Sequence, residues 1–344
     1  MKLIRPSYEI IEQGPGIQGV YEMIERCGKT SYKSDFKGGE FAKRFVESRA
    51  KEKHGAVLEF GTVYMKICVG SPMYDEDYMP KMDTVMFYKR NPYSRVTEGK
   101  DLGTVSDVKV SVAVYHITTN YRVVVENKRL DDLKYQCEPT EYHEKRYAVK
   151  FITDIGLGRD YLRHRVMSMV MESTRYVNYM KEKFGEEITF VIPPWISKET
   201  LAEGENIAWW DNDWVNMNKM KIVKYGAPEL KHDPVECWLS AMQNAELDYR
   251  TLINLGWTPQ QARGVLPLST KTEFVLCGFK DAWIHFFRLR SDIAATGQPH
   301  PMSLQLATPL REEFIEKGYI QPNELEKDAF GQFDIVISDS NLVP

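Results

Sequence analysis

Residues 163–176 read RHRVMSMVMESTRY, which sets Arg163, His164, Arg165, Ser168, Ser173, Arg175 and Tyr176 within one short stretch. Arginine presents a permanently charged planar fork that matches phosphate, and serine hydroxyls with loop amides can complete a shell of donors around an oxyanion. The interleaved Val166, Met167, Met169, Val170 and Met171 suit packing beneath such a loop or along a flat ring. Composition leaves a second reading open, an exposed basic turn whose arginines pair with Asp160 and Glu172. Exposed ion pairs contribute only roughly 0–1 kcal/mol, so that reading gives the cluster little structural purpose.

Outward from this stretch the periodicity is mixed. Helical spacing runs over residues 16–27 (Ile17, Val20, Tyr21, Ile24), 148–165, 236–255 and 273–290. Gly256 is placed to stop the third of these in a left-handed conformation. Thr258-Pro259 reads as an N-cap followed by a proline at the first helical position, opening a short helix that ends near Leu266-Pro267. Residues 57–69 are rich in β-branched side chains and read as a strand. Residues 108–117 alternate, and with 121–125 across Thr118-Thr119-Asn120 they read as a hairpin. Residues 71–104 have weak periodicity and read as a loop-like covering segment; residues 198–231, with Trp209, Trp210 and Trp214, have no clear period. Short strands beside separate long helices predict an α+β architecture.

The 344 residues carry 45 Lys plus Arg against 49 Asp plus Glu, a formal charge of −4, so there is no global attraction to polyanions. A nucleic-acid-binding protein working through 163–176 is one function class the sequence allows, but the acidic balance and the lack of a basic stripe argue against it. No stretch approaches the roughly 20 apolar residues of a membrane span, and the N-terminus lacks a signal-length apolar region, so the expectation is a cytoplasmic protein without a membrane partner. The five cysteines, Cys27, Cys68, Cys137, Cys237 and Cys277, are scattered and form no C-x-x-C pair, which predicts reduced thiols and no metal site.

The order of residues in 163–176 resembles the flavin-dependent thymidylate synthase motif Arg-His-Arg-x-x-Ser-x-Asn-x-x-Ser-x-Arg-Tyr. Every fixed position matches except the asparagine, which is Val170 here. The glutamate usual after that asparagine is Met171, with Glu172 one position later. Three further segments follow in the family's order. HGAVLEF (54–60) is similar to His-x-x-x-x-Glu-His before a strand, with Phe60 in place of the second histidine. QQARGVLPLSTKTEF (260–274) is similar to Ala-Arg-x-x-Leu-Pro and carries Arg263. DAWIHFFRLRSD (281–292) resembles a helix ending in Leu-Arg, with Trp283, Phe287 and Arg290 on one stripe. Phe279, Lys280 and Asp281 depart from the family's Asn-x-Arg. The similarity spans roughly residues 16–70, 146–192 and 234–321.

The resemblance implies one elaborated domain over 1–344, with a central, mostly antiparallel sheet flanked by long helices and insertions at 73–145 and 197–232. It implies conversion of dUMP to dTMP, with 5,10-methylenetetrahydrofolate as carbon donor and NADPH-reduced FAD as hydride carrier. Arg290 is the implied catalytic residue, set against charge developing on the uracil. Asp160, Arg163, Met171, Glu172, Ser173, Thr174, Arg175, Arg263 and Arg290 are the implied dUMP contacts, with Arg263 arriving from another subunit of a homotetramer. His54, Ala56, Arg163, His164, Arg165, Val166, Met171, Phe279, Asp281 and His285 are the implied FAD contacts. No Pro-Cys segment occurs, so the thiolate route to uracil C6 lacks its usual nucleophile. The altered 170–171 and 279–281 positions keep a second reading open, a flavin- or nucleotide-dependent oxidoreductase on the same scaffold without methyl transfer.

Overall fold

The computed structural model describes residues 1–31, 33–73, 75–105, 108–175, 177–181, 187–196, 234–294 and 297–326. Tyr176 of the motif and the insertion at 197–232 lie outside the described residues. The chain divides into two compact units, Met1–Phe279 and Lys280–Pro344.

The first unit opens with β1 (Lys2–Ile4), β2 (Ser7–Ile11), α1 (Gly16–Thr30), α2 (Gly39–Lys51) and a 3₁₀ turn at Gly55–Phe60. Then come β3 (Thr62–Val69), α3 (Tyr78–Arg90), β4 (Arg95–Val105), β5 (Val108–Asn120), α4 (Tyr121–Glu126) and a second 3₁₀ turn at Leu130–Tyr135. It continues through β6 (Arg146–Asp154), α5 (Ile155–Tyr161), β7 (Ser168–Met171) and β8 (Thr189–Val191). It closes with α6 (Pro234–Asn254), α7 (Pro259–Ala262), a 3₁₀ turn at Arg263–Val265 and β9 (Lys271–Phe279). The second unit holds α8 (Lys280–Arg290), α9 (Pro301–Glu316) and α10 (Pro322–Glu326).

The architecture is α+β. A four-stranded antiparallel sheet runs β2-β6-β9-β7, a three-stranded antiparallel sheet runs β3-β5-β4, and β1 pairs with β8 in parallel. Helix α1 serves both larger sheets. Val20 and Ile24 join the cluster of Val63, Met65, Ile67 and Ile117, while Met23 and Cys27 pack with Ile11, Ala148, Val275 and Cys277. The approach is close at Gly61, where a Cβ would stand 2.7 Å from both Ile24 Cδ1 and Val20 Cγ1. In the second unit Trp283, Phe287 and Phe314 pack together, with ring centroids 5.2–6.0 Å apart.

Several elements depart from their sequence reading. Residues 146–154 and 271–279 are the two central strands β6 and β9, so of the helices expected over 148–165 and 273–290 only the later parts, 155–161 and 280–290, are helical. Val149, Phe151, Phe274 and Leu276 are fully buried, and so are their neighbours Ala148, Val275 and Cys277. A strand covered on both faces loses its period-2 signature and resembles a buried helix in sequence. Likewise 121–125 is helix rather than the second arm of a hairpin. The Asn120 side chain accepts from the Val123 amide at 3.1 Å, so the apparent turn is an N-cap. Residues 71–104 contain α3 and most of β4 rather than a loop. The reading of residues 57–69 as a strand holds from Thr62 onward. Gly256 does end the segment after α6 with φ +91°, and Thr258 opens α7 with its amide donating to Gln261 Oε1 at 2.9 Å.

Phe274 stacks on Phe151 at 5.2 Å and meets Tyr161 edge-on at 6.0 Å, all three fully buried. Phe274→Ala is therefore expected to cost about 3–5 kcal/mol, read as a drop in the denaturant midpoint with an unchanged slope.

Candidate functional site

The motif straddles β7, an edge strand only four residues long. Its register against β9 sets Ser168 opposite Cys277, Val170 opposite Val275 and Met171 opposite Phe274. Alternation along a strand sends Val170 and Met171 to opposite faces. Beyond the strand the Glu172 amide donates to the Glu273 carbonyl at 2.7 Å, and the Ser173 amide to the Ser31 carbonyl at 3.1 Å. The chain then turns toward α7. Arg263 Nη1 donates to Thr174 Oγ1 at 3.3 Å, and Arg175 Nε donates to Gln260 Oε1 at 3.2 Å.

Between these segments lies a cleft of about 610 Å³. Met171, Glu172, Ser173 and Thr174 line one side, Arg263, Gly264 and Leu266 to Leu268 another, and Ile155 and Arg159 of α5 a third. Five of the expected dUMP residues thus meet in one cleft although Arg263 is some ninety positions from the motif. They belong to one chain, so Arg263 stands beside its own chain's motif. The short helix and 3₁₀ turn after Thr258 present Arg263, and Pro267 ends them.

Beneath the cleft sits a buried charge network the sequence reading did not find. Lys271 Nζ donates to Glu172 Oε2 at 2.9 Å and to Glu273 Oε1, and Lys150 Nζ meets Glu273 Oε2 at 2.6 Å. Burial alone would raise the Glu273 carboxyl, but the charge of Lys271 and the hydrogen bonds from Lys150 and Lys271 outweigh it and hold it below the usual range. Lys33, half-buried nearby, has its ammonium pushed down by burial, against the pull of Glu172. The Lys271-Thr272-Glu273 alternation in an otherwise apolar strand was the available signal. Glu172 is committed to Lys271, not to the loop arginines that composition offered it.

A second cleft, about 460 Å³, is lined by Ser31, Phe45, Arg49, Lys53, His54, Gly55, Ala56, Val57, Arg122 and Val170. It gathers His54 and Ala56, which the resemblance set aside for flavin. Arg122 bonds Glu59 Oε1 at 2.6 Å and Glu126 Oε1 at 2.8 Å. A Cβ on Gly55 would lie 2.4 Å from that Glu126 oxygen, so a larger residue there would push the flexible ends of Glu126 and Arg122 away from the turn. The two positions departing from the family motif therefore face different clefts, Val170 this one and Met171 the first.

The remaining expected contacts line neither cleft, Met171 apart. Arg163, His164, Arg165 and Val166 form the turn between α5 and β7 and line neither cleft. Arg163 is 78% exposed with its guanidinium 4.0 Å from Asp160, His164 is buried, and Arg165 and Val166 are exposed. Ser168 is no free phosphate ligand, because its hydroxyl accepts from Arg146 Nη2 at 3.0 Å. Arg146 also donates to the Glu59 carbonyl at 2.9 Å and lies over the Phe279 ring at 5.8 Å, with Arg95 at 4.9 Å. In the second unit Asp281 and His285 are exposed, and Arg290 is half-buried at the end of α8, its carbonyl accepting from Ser303 Oγ at 2.9 Å.

All five cysteines are free, with Cys27 and Cys277 fully buried and their thiols raised by that burial. Among the described residues no group of three or more His, Cys, Asp or Glu side chains could hold a metal, and no helix is long and apolar enough to cross a membrane.

The family model for the thymidylate synthase complementing protein, Thy1, matches residues 139–314, about half of the chain. The chain belongs to the Thy1 family. The Thy1 match takes in the motif, both central strands and Arg263, and leaves out the 54–60 segment. A flavin-dependent thymidylate synthase of Thermosipho africanus is 25% identical over 159 residues, 46% of this chain and 60% of that protein. Another, of Thermosipho melanesiensis, is 26% identical over 161 residues, 47% and 61%. The chain thus spans about three-fifths of the length of these Thy1 relatives. A solved UMP/dUMP methylase PolB from Streptomyces cacaoi, bound with 5-Br dUMP, aligns over 92% of this chain and 93% of its own at 13% identity and TM-score 0.38, too loose for residue correspondence.

Two expectations follow from the charge network. Lys271→Met strands the almost wholly buried Glu172 and leaves Glu273 with Lys150 alone, and is expected to cost about 3–5 kcal/mol, measured by chemical unfolding. Because the folded Glu273 carboxyl lies below its usual value of 4.5, its stabilisation is complete above that value and lost as pH falls through the lower folded one. Glu273→Gln should flatten the acid limb of the stability profile.

Proposed function

We propose that this protein is a flavin-dependent thymidylate synthase, converting dUMP to dTMP with 5,10-methylenetetrahydrofolate as carbon donor and FAD reduced by NADPH. The observation that carries this reading is the convergence of Met171, Glu172, Ser173, Thr174 and Arg263 on one cleft in a Thy1 chain. Ser173, Thr174, Arg175 and Arg263 bind the nucleotide, with hydroxyls and guanidinia suited to its phosphate. Asp160 and Arg163 complete the dUMP set. Arg290 stabilises negative charge on the uracil, a role of the oxyanion-hole kind.

The second cleft suits a flavin nucleotide. Phe45, Val57 and Val170 give it an apolar wall for a flat ring, and Lys53 gives it a cation for a diphosphate, beside Arg49 and Arg122, which pair with Glu52 and with Glu59 and Glu126. His54 and Ala56 would hold FAD there, with Arg163, His164, Arg165, Val166, Met171, Phe279, Asp281 and His285 as further contacts. Bound FAD supplies the hydride that completes the methyl group. The chain's own residues bind and orient the reactants and hold the uracil's charge. We place the enzyme in the cytoplasm as a homotetramer with shared sites; full activity from monomers at high dilution would contradict that assembly.

An oxidoreductase without methyl transfer is the competing reading. It is favoured by Val170 and Met171, which put an apolar side chain in each cleft where the family motif is polar. Tritium release from 5-tritiated dUMP separates the two. The synthase releases it in a folate- and NADPH-dependent way, and a folded, flavin-loaded enzyme that releases none is the oxidoreductase. On the synthase reading, dUMP perturbs the visible flavin bands. Arg263→Ala should weaken that titration by roughly ten- to a hundredfold while leaving flavin bound.

A further inference from the structure

The cleft beside β7 carries two guanidinium groups without carboxylate partners. Among the described residues Arg263 hydrogen-bonds the Thr174 hydroxyl and no carboxylate, and Arg159 makes no side-chain hydrogen bond or ion pair. The one acid lining the cleft, Glu172, does not compensate them, since its side chain is 99% buried and bonded to Lys271. Two uncompensated cations on one concave surface repel each other, and an anion between them removes that cost. Neither the family motif nor the sequence reading singled out Arg159.

We propose that Arg159 is a phosphate-binding residue that, with Arg263, grips the monoester dianion of the nucleotide. This rests on the reading of the cleft as a uridylate site and assigns the phosphate end of it. The residue is held in place from three directions. Asp154 caps α5 by accepting from the Leu157 amide at 2.6 Å, the Ile155 amide donates to the Thr270 carbonyl at 3.0 Å, and the Gly156 amide donates to the Leu268 carbonyl at 3.3 Å. Those contacts fix α5 to the segment following Arg263, so the two arginines stand on elements tied to each other. Ser173 and Thr174 line the same cleft and add hydroxyls to the shell. Arg175, the motif's own phosphate candidate, bonds Gln260 and is not part of the cleft wall, so Arg159 adds to the wall a charge that the motif does not supply.

The test is a ligand-by-variant comparison on the full flavin-loaded chain, titrating dUMP and deoxyuridine into wild type, Arg159→Ala and Arg159→Lys. Arg159→Ala should bind dUMP about tenfold more weakly and deoxyuridine as wild type does, with Arg159→Lys recovering part of the loss. The side chain is exposed, so melting curves should coincide. Unchanged dUMP affinity in Arg159→Ala, or an equal loss for both ligands, overturns the phosphate role while leaving the uridylate site standing. A wild-type chain that binds no dUMP overturns that site and this role together.

Discussion

The ladder between β7 and β9 is the constraint on which both clefts depend. Four residues of edge strand are short, yet Val170 and Met171 must point to opposite faces as long as their register with Val275 and Phe274 holds. A slip by one residue would exchange the walls of the two clefts and turn Glu172 away from Lys271. The register is reinforced from both ends, by Arg146 on Ser168 and by the Glu172 and Ser173 amides on Glu273 and Ser31. Short edge strands pair weakly on their own; this one is held by further hydrogen bonds at both ends of its four-residue ladder.

The acid at position 172 illustrates how local charge is decided by burial. Beside Arg163, Arg165 and Arg175 in sequence, it looks like a partner for exposed arginines. In the fold it shares Lys271 with Glu273 below the cleft, while the arginines stay near solvent. Burying such a set is costly unless each member is paired, so Lys150 and Lys271 answer Glu172 and Glu273 two for two. The consequence for the site is a floor that is neutral and a rim that is cationic. A cleft of that character selects an anionic ligand and confines its charge to one end.

The elements that were legible and those that were not divide along a physical line. Helix α1, half covered and half wet, keeps its period, and so does α6; the stop at Gly256 and the opening at Thr258 are local chemistry and stand where the residues put them. Strands β6 and β9 lie in the middle of a sheet with both faces covered, so their hydrophobicity carries no period and they read as helix. Asn120 could serve a turn or a helix cap, and only the helix behind it decides. For the site, residues 171–174 and Arg263 were readable because their order in the chain is distinctive, whereas Lys271, Lys150 and Arg159 were not.

By itself the sequence determined which side chains were available and which family they resemble, because motif order and turn chemistry are properties of neighbouring residues. It also determined the α+β class, through the mixture of short β-branched runs and long amphipathic ones. Tertiary structure alone decided that Arg159, Thr174 and Arg263 share a cleft, that Val170 and Met171 are parted, and that Glu172 is spoken for by Lys271. Those facts follow from strand register and from burial, both set by residues far apart in the chain.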